Sequence, residues 1–330
     1  MIFANLRSKT VLLLTATLEI TFLTAYPQIA QAATITLSDG SKCEGTIKDG
    51  LLNGQGKCNY KNGDRYEGNF LAGKKQGIGI YTFADKTRYQ GEFKDDSMEG
   101  KGVETYADGD RYEGQFLKGQ PHGTGAYISA NGGRYEGEFQ NGNPQGKGSF
   151  IRSNGDKCSG IVTEGQLNGT GVCTYTNGNS YKGEFNNSQP SGTGEFTFAK
   201  DGTYKGQFAN GQFQGTGVRK FANGNRYEGG FANGKPNGKG IYTFADRNKY
   251  EGEFGDGKFN GQGIYTFANG DRCEGQFKSG QLSGTAKCVY ANGDRYEGEF
   301  QNGDKEGKGV YIYANGDRLE GIWKAGQIQN

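Results

Sequence analysis

Thirteen residues, Cys43, Tyr66, Tyr89, Tyr112, Tyr135, Cys158, Tyr181, Tyr204, Tyr227, Tyr250, Cys273, Tyr296 and Leu319, follow one another at a constant interval of 23 with no insertion or deletion. A period of that size marks stacked supersecondary units, each too small to bury an apolar face except against its neighbours. The chain therefore reads as a repeat array rather than as one or two globular domains. Its 61 glycines and 32% hydrophobic residues would also suit a disordered chain. The 20 tyrosines and 21 phenylalanines decide against that, because they recur at fixed phase with the glycines.

Numbering each unit from its anchor as position 0, the consensus is Y-E-G-E-F-x-N-G-x-x-x-G-x-G-x-Y-x-F-A-N-G-D-R. Positions 0, 2 and 4 are Tyr, Gly and Phe between polar residues, and positions 13, 15 and 17 are Gly, aromatic and aromatic. Alternation of period two predicts a one-faced strand in each half. Phe occupies position 4 from Phe70 to Phe300 except at Ile47 and Val162, with Trp323 in the last unit, and Gly occupies position 2 in every unit from Gly45 to Gly321. A glycine between two rings on one face leaves room for a ring to lie over the backbone, which offsets its weakening of the strand.

Turn chemistry sets the pairing. A two-residue Asn-Gly loop at positions 19 and 20 would bring position 15 opposite the polar face of the next unit. A three-residue Ala-Asn-Gly loop, its glycine left-handed in a G1 bulge, pairs position 15 with the next anchor and 17 with 21. The stretch from position 5 to about position 10, which carries Pro121, Pro144, Pro190 and Pro236, reads as a variable surface loop. The expected fold is all-β, an elongated single-layer antiparallel meander of about 25 strands with two per unit. Twelve units would span roughly 115 Å at ~4.8 Å per strand.

Residues 1–32 differ from the rest. Arg7 and Lys9 precede an apolar run from Val11 to Ala25, then Pro27 and Ala30-Gln31-Ala32. That is the pattern of a signal peptide cleaved after Ala32; Glu19 interrupts the run, and an uncleaved anchor is the alternative. The organisation that follows is a leader over 1–32, an N-terminal half-repeat cap over 33–42, twelve units over 43–318 and a partial unit over 319–330. The product would be secreted or periplasmic, with no transmembrane segment after cleavage.

The six cysteines fall at only two phases, Cys43, Cys158 and Cys273 at position 0 and Cys58, Cys173 and Cys288 at position 15, and any unit that has one has the other. Pairing within an exported chain gives a reason for that coupling, so three intra-unit disulfides are predicted. Six buried thiols are the alternative, and two sulfurs per unit without histidine make only half a zinc site. A bridge requires close Cβ atoms, which places position 0 opposite position 15. The cysteine units also share Leu52, Leu167 and Leu282 at position 9, and recur every 115 residues, as a duplicated five-unit block would.

Chemistry is sparse. Lys/Arg number 38 and Asp/Glu 36, interleaved throughout, so no basic stripe for nucleic acid and no polybasic membrane patch is present. His122 is the single histidine, at position 10 of the expected surface loop, and reads as a loop residue rather than a catalyst. The position-1 glutamates Glu67, Glu113, Glu136, Glu228, Glu251 and Glu297 recur too regularly to form a unique acid-base pair. Gly-x-Gly at positions 11 and 13 precedes a strand rather than a helix, which removes the phosphate-loop reading. No catalytic residue, cofactor or metal site is expected.

The segments Tyr66-Glu67-Gly68-Asn69-Phe70, Tyr135-Glu136-Gly137-Glu138-Phe139 and Pro121-His122-Gly123-Thr124-Gly125 resemble the MORN repeat, over essentially residues 33–330. The resemblance implies an elongated sheet of hairpins that serves as an attachment or scaffold module, often near membranes and often self-associating. The cysteine pairs and the leader lie outside the usual pattern of that family. A non-enzymatic extracytoplasmic scaffold, bound to a protein partner or to a copy of itself, is the function expected. The alternative is a cell-envelope module whose rings stack on polysaccharide, peptidoglycan or lipid headgroups. Internal packing accounts for most of the aromatic ladder. The candidate contacts are the hydroxyls of Tyr66, Tyr81, Tyr112, Tyr127, Tyr227, Tyr242, Tyr250, Tyr265, Tyr296 and Tyr311.

Overall fold

The computed structural model describes residues 32–329 as a single sheet of 27 strands, from β1 (Ala32–Thr36) to β27 (Gln327–Ile328). Each strand pairs antiparallel with the strand before and the strand after it in sequence. Two strands per unit account for the meander, with β1 ahead of the first unit and β26 (Arg318–Lys324) and β27 beyond the twelfth. The leader expected over residues 1–32 lies, Ala32 apart, outside the described residues.

Register follows from side-chain parity. Cys43 of β2 (Lys42–Lys48) faces Cys58 of β3 (Leu51–Asn59), which faces Tyr66 of β4 (Arg65–Leu71) on its other side. Tyr112, Tyr127 and Tyr135 repeat the relation three units on. Directly opposed residues share a face, so positions 0 and 15 form one cross-sheet row. The three-residue loop that keeps this parity is present: Tyr60 N–H donates to the Asp64 carbonyl at 2.9 Å, and Gly63 takes a φ of 94°.

The other connection differs from the surface loop expected there. β8 (Arg111–Leu117) and β9 (Gln120–Ile128) are joined by Lys118 and Gly119 alone, with φ of 50° and 81°, the pattern of a type I′ turn. The strand resumes at position 8, and Pro121 at position 9 sits within it opposite Phe116. Proline is tolerated because the position-9 N–H points out of the hairpin: at Lys75 and Leu167 it bonds a side chain of the next unit, Asp96 Oδ1 at 2.9 Å and Ser188 Oγ at 3.1 Å. Those prolines disguise the strand in the sequence.

Between positions 2 and 4 the hairpin is bulged, as at Gly114/Gln115, and the facing Gly123 is left-handed at φ 66°. The bulge turns the position-3 carbonyl out of the ladder, and the anchor hydroxyl takes it: Tyr112 Oη donates to Gln115 O at 2.9 Å.

These features let one sheet build a core. Tyr227 is wholly buried. Beneath its ring lies bare backbone, since a Cβ placed on Gly240 would sit 2.6 Å from ring atom Cε2. Phe231 and the next unit's Phe254 meet it edge-on, with centroids at 5.1 and 4.7 Å. Position 9 supplies a roof: Phe259 lies flat on Tyr250 at 3.9 Å, Phe213 on Tyr204 at 3.8 Å, and the Lys305 ammonium stands 4.9 Å from the centre of Tyr296. Tyr204, Tyr250 and Tyr296 are thus enclosed below, beside and above by two consecutive units, and aromatic burial of this kind dominates core energetics.

The cysteine units solve the same problem without a ring. Cys43–Cys58, Cys158–Cys173 and Cys273–Cys288 are bridged across Cα separations of 4.0, 4.1 and 4.1 Å. Leu52 and Leu167 at position 9 drop into the vacated space, their Cδ2 atoms 3.2 Å from where a Cβ on Gly45 or Gly160 would lie. That accounts for the shared leucines.

Candidate functional site

Of the ten tyrosines expected as contacts, the structure removes half. Tyr66, Tyr112, Tyr227, Tyr250 and Tyr296 are 0–1% exposed, and their hydroxyls donate to main-chain oxygens, Tyr250 to Glu253 at 2.9 Å among them. Burial pushes the phenols of Tyr112, Tyr227 and Tyr250 up to about 12. They are core, because only the anchor faces both the position-13 glycine and the bulge carbonyl.

Tyr81, Tyr127, Tyr242, Tyr265 and Tyr311 at position 15 are half-buried. With the position-17 rings they form a second aromatic row along the three-residue turns, in contact from unit to unit: Tyr60 stacks against Tyr81 at 6.0 Å and Tyr290 against Tyr311 at 5.9 Å, while Phe221 meets Tyr242 tilted at 6.0 Å. Their hydroxyls are also engaged. Tyr81 donates to Asp64 Oδ2 at 2.6 Å, Tyr311 to Asp294 Oδ2 at 2.7 Å and Tyr127 to Asp110, while Asn225 donates to the Tyr242 hydroxyl at 2.8 Å. What remains available is the ring faces; Phe267 and Tyr313 are 41% and 42% exposed.

The position-21 residue is a structural element that sequence reasoning missed. Besides the tyrosine, Asp64 Oδ1 accepts the main-chain N–H of Ala84 in the next turn at 2.8 Å, and Asn62 bonds back onto Asp64. The Tyr127 hydroxyl, then the Ala130 N–H, hold the Asp110 carboxyl below the usual carboxylate range. Turns are thereby tied in series along one margin. The available signal was co-occurrence: every tyrosine at position 15 is preceded by Asp or Asn at position 21 of the unit before.

Two charged residues stand in this row. Glu104 is buried, its carboxylate accepting from Tyr106 at 2.8 Å, and burial raises its pKa despite that bond. Arg219 lies between Phe198 and Phe221, 3.9 and 4.7 Å from their centroids, and reaches Asp201 at 2.5 Å. The position-1 glutamates are exposed on the opposite face, several in ion pairs such as Arg111–Glu113 at 2.8 Å.

The row also passes the third cysteine unit, where Cys273 and Cys288 stand in place of two rings. A groove of ≈ 680 Å³ opens there, floored by Cys273–Cys288 and Leu282 and walled by Phe259, Phe267 and Tyr290. Cys273 is half-exposed, unlike Cys43 and Cys158. Among the described residues no cluster of three or more His, Cys, Asp or Glu side chains is placed to hold a metal ion, and no helix is long and apolar enough to cross a membrane.

The MORN repeat family model matches twelve consecutive windows without a gap, 43–65 to 296–318, each starting on an anchor. The chain belongs to the MORN-repeat family. No curated protein matches this MORN-repeat chain. Solved structures with local likeness include the SAS-4 TCP domain of Drosophila melanogaster in complex with a proline-rich motif of Ana2. It is 15% identical, covers 55% of this chain and 87% of that one, and has a TM-score of 0.28. The TCP10 domain of Danio rerio CPAP with a STIL peptide is 10% identical, covers 89% and 100%, and scores 0.26. Virginiamycin B lyase of Staphylococcus aureus is 11% identical, covers 88% and 83%, and scores 0.14. Scores this low bear on neither fold, ligand nor activity. A MORN-repeat meander is a repeat-based interaction module, generally a non-catalytic scaffold.

Proposed function

We propose that this MORN-repeat protein is a non-enzymatic scaffold outside the cytoplasm that presents the half-exposed aromatic row at positions 15 and 17 to protein partners. The observation that carries the reading is the division of labour between rings. Anchor tyrosines and position-4 phenylalanines are consumed in the core, while the second row keeps ring faces such as those of Phe267 and Tyr313 in solvent. An aromatic strip on a polar surface is a recognition feature, and a periodic one, here unbroken by charge from Phe221 to Tyr313, suits an extended partner. Export is supported by the leader pattern over residues 1–32 and by three disulfides.

A second reading, an envelope module, is favoured by the groove at Cys273–Cys288, whose aromatic walls would accept a sugar ring or lipid headgroup. One experiment separates the two. A photo-reactive residue replaces Phe267 or Tyr313 in the exported chain in intact cells, with a control at Glu67 on the opposite face. The scaffold reading expects a discrete protein adduct from the row and none from the control. Adduct to polysaccharide or lipid alone transfers the function to the second reading, and equal labelling from both faces overturns both.

A further inference from the structure

The three disulfides hold equivalent places in their units but are not equally covered. Five of the six cysteines are 1–3% exposed, whereas Cys273 is half-exposed and, with Cys288, lines the groove of ≈ 680 Å³. The residues packed around this bridge are looser as well. Leu282 at position 9 is 8% exposed against 3% and 2% for Leu52 and Leu167, and Phe300 of the following unit is 7% exposed against 5% and 4% for Phe70 and Phe185.

One residue accounts for the difference. Within the twelve complete units position 13 is glycine except at Ala286. In tyrosine units a Cβ there would collide with the anchor ring, as at Gly240, 2.6 Å from Cε2 of Tyr227, and Ala286 has room only because its unit is anchored by Cys273. The same position is roofed by the phenylalanine of the next unit: a Cβ on Gly56 or Gly171 would lie 3.1 Å from Cε2 of Phe70 or Phe185. That is inside the ordinary carbon contact of about 3.5–4.0 Å. At Ala286 the methyl is real, so the Phe300 ring stands off it and the seal over the bridge loosens.

We propose that Cys273–Cys288 is a thiol-exchange site: in the folded chain a dithiol opens this bridge and leaves Cys43–Cys58 and Cys158–Cys173 closed. Exchange requires a thiolate to reach a disulfide sulfur, so exposed bridges are labile where buried ones resist. The dithiol's thiolate attacks Cys273 Sγ, since Cys288 is sealed. The bond between the two Sγ atoms breaks, and Cys288 leaves as a thiolate that takes up a proton. The reductant's second thiol then gives up its proton and attacks the reductant's own sulfur in the mixed disulfide, and Cys273 leaves and is protonated in turn. Two electrons and two protons pass to the chain, and the dithiol becomes a disulfide.

Opening the bridge removes the cross-link across a hairpin whose cysteines lie 15 residues apart, beneath the floor of the groove. No anchor ring is present in that unit to hold the two strands in its place. Each unit packs only against its neighbours, so the loosening stays local. The reduced chain would carry one soft joint between Arg272 and Tyr296 in an otherwise intact sheet. This inference is independent of which partner the aromatic row takes.

The test treats the folded full chain with dithiothreitol, quenches it at intervals with iodoacetamide and maps the alkylated cysteines by peptide mass spectrometry. Cys273 and Cys288 should be alkylated about tenfold or more sooner than the other four, with circular dichroism unchanged. Ala286→Gly restores the residue of every other complete unit and should slow the third bridge to the rate of the other two. Gly171→Ala should speed the opening of Cys158–Cys173. Opening of all three bridges at one rate overturns the proposal, as does a third bridge that opens as fast in Ala286→Gly as in the parent. A folded Gly171→Ala whose central bridge is no faster does so too; if that variant does not fold, the Ala286→Gly comparison decides alone. The scaffold reading would survive any of these results, since it stands on the adducts from Phe267 and Tyr313.

Discussion

The hydroxyl of Tyr227 donates to the main-chain oxygen of Gly230 at 2.8 Å, three residues along the same strand. The carbonyl is free because the bulge between Gly229 and Phe231 takes it out of the ladder. Ring and bulge are thus one device: the distortion creates an orphan acceptor at the point the phenol reaches. Tyr227→Phe keeps the packing and removes the donor, so it should destabilise its unit by about 1–2 kcal/mol. Tyr227→Ala should cost about 3–5 kcal/mol. Native-state hydrogen exchange of the flanking strands reads both, because opening in a repeat array is local.

The central bridge replaces two rings with one covalent link. Cys158→Ala with Cys173→Ala removes the closure of a 15-residue loop, worth about 3 kcal/mol in the chain-entropy description. Leu167 remains as the only apolar filling over Gly160. Exchange protection should fall at that unit and its immediate neighbours while distant units keep theirs. Uniform loss along the chain would show that the units do not behave as a nearest-neighbour array.

Glu104 stands where most units have an aromatic ring, and burial raises its pKa above the ordinary 4.5. A carboxyl whose folded pKa exceeds its unfolded one contributes stability that is complete below the unfolded value and is lost as pH rises through the folded one. The parent should therefore lose local stability as pH rises from 4.5 toward neutrality. Glu104→Gln should remove that dependence, and Glu104→Tyr should add stability at pH 7. Paired denaturation curves at acid and neutral pH give the answer.

At the alkaline end the anchor phenols act together. Those of Tyr112, Tyr227 and Tyr250 are pushed up to about 12 by burial. Their folded values lie above the ordinary 10, so the stability they confer is complete below pH 10 and is lost as pH rises through about 12. Tyrosinate absorbance should rise steeply with the loss of β-structure over that interval, rather than as a broad titration preceding unfolding.

Much of this architecture was legible in the sequence because parity is unforgiving. The coupled phases of Cys43 and Cys58 set position 0 against 15, and an aromatic face required a three-residue loop at Gly63. Two things were hidden. Tyr112 and Tyr127 look alike in the repeat, but one is sealed and the other half-exposed, because only the anchor combines a facing glycine with a bulge carbonyl. The roof at position 9 was hidden by its own variety: Phe259 and Lys305 share no chemistry. A flat apolar surface or a cation can each lie over a ring, so the position constrains shape rather than identity.

The account turns on the anchor ring and the glycine beneath it being a single packing unit, and a double-mutant cycle on Tyr227 and Gly240 tests this most directly. Gly240→Ala beneath the intact ring should cost about 2 kcal/mol or more, the range of overpacked sites. With Tyr227→Leu already in place, the same change should cost under about 1 kcal/mol, as the accommodation of Ala286 beside Cys273 leads one to expect. An equal cost in both backgrounds would contradict the account, because the glycine would then be needed for its backbone alone and not for the ring that lies on it.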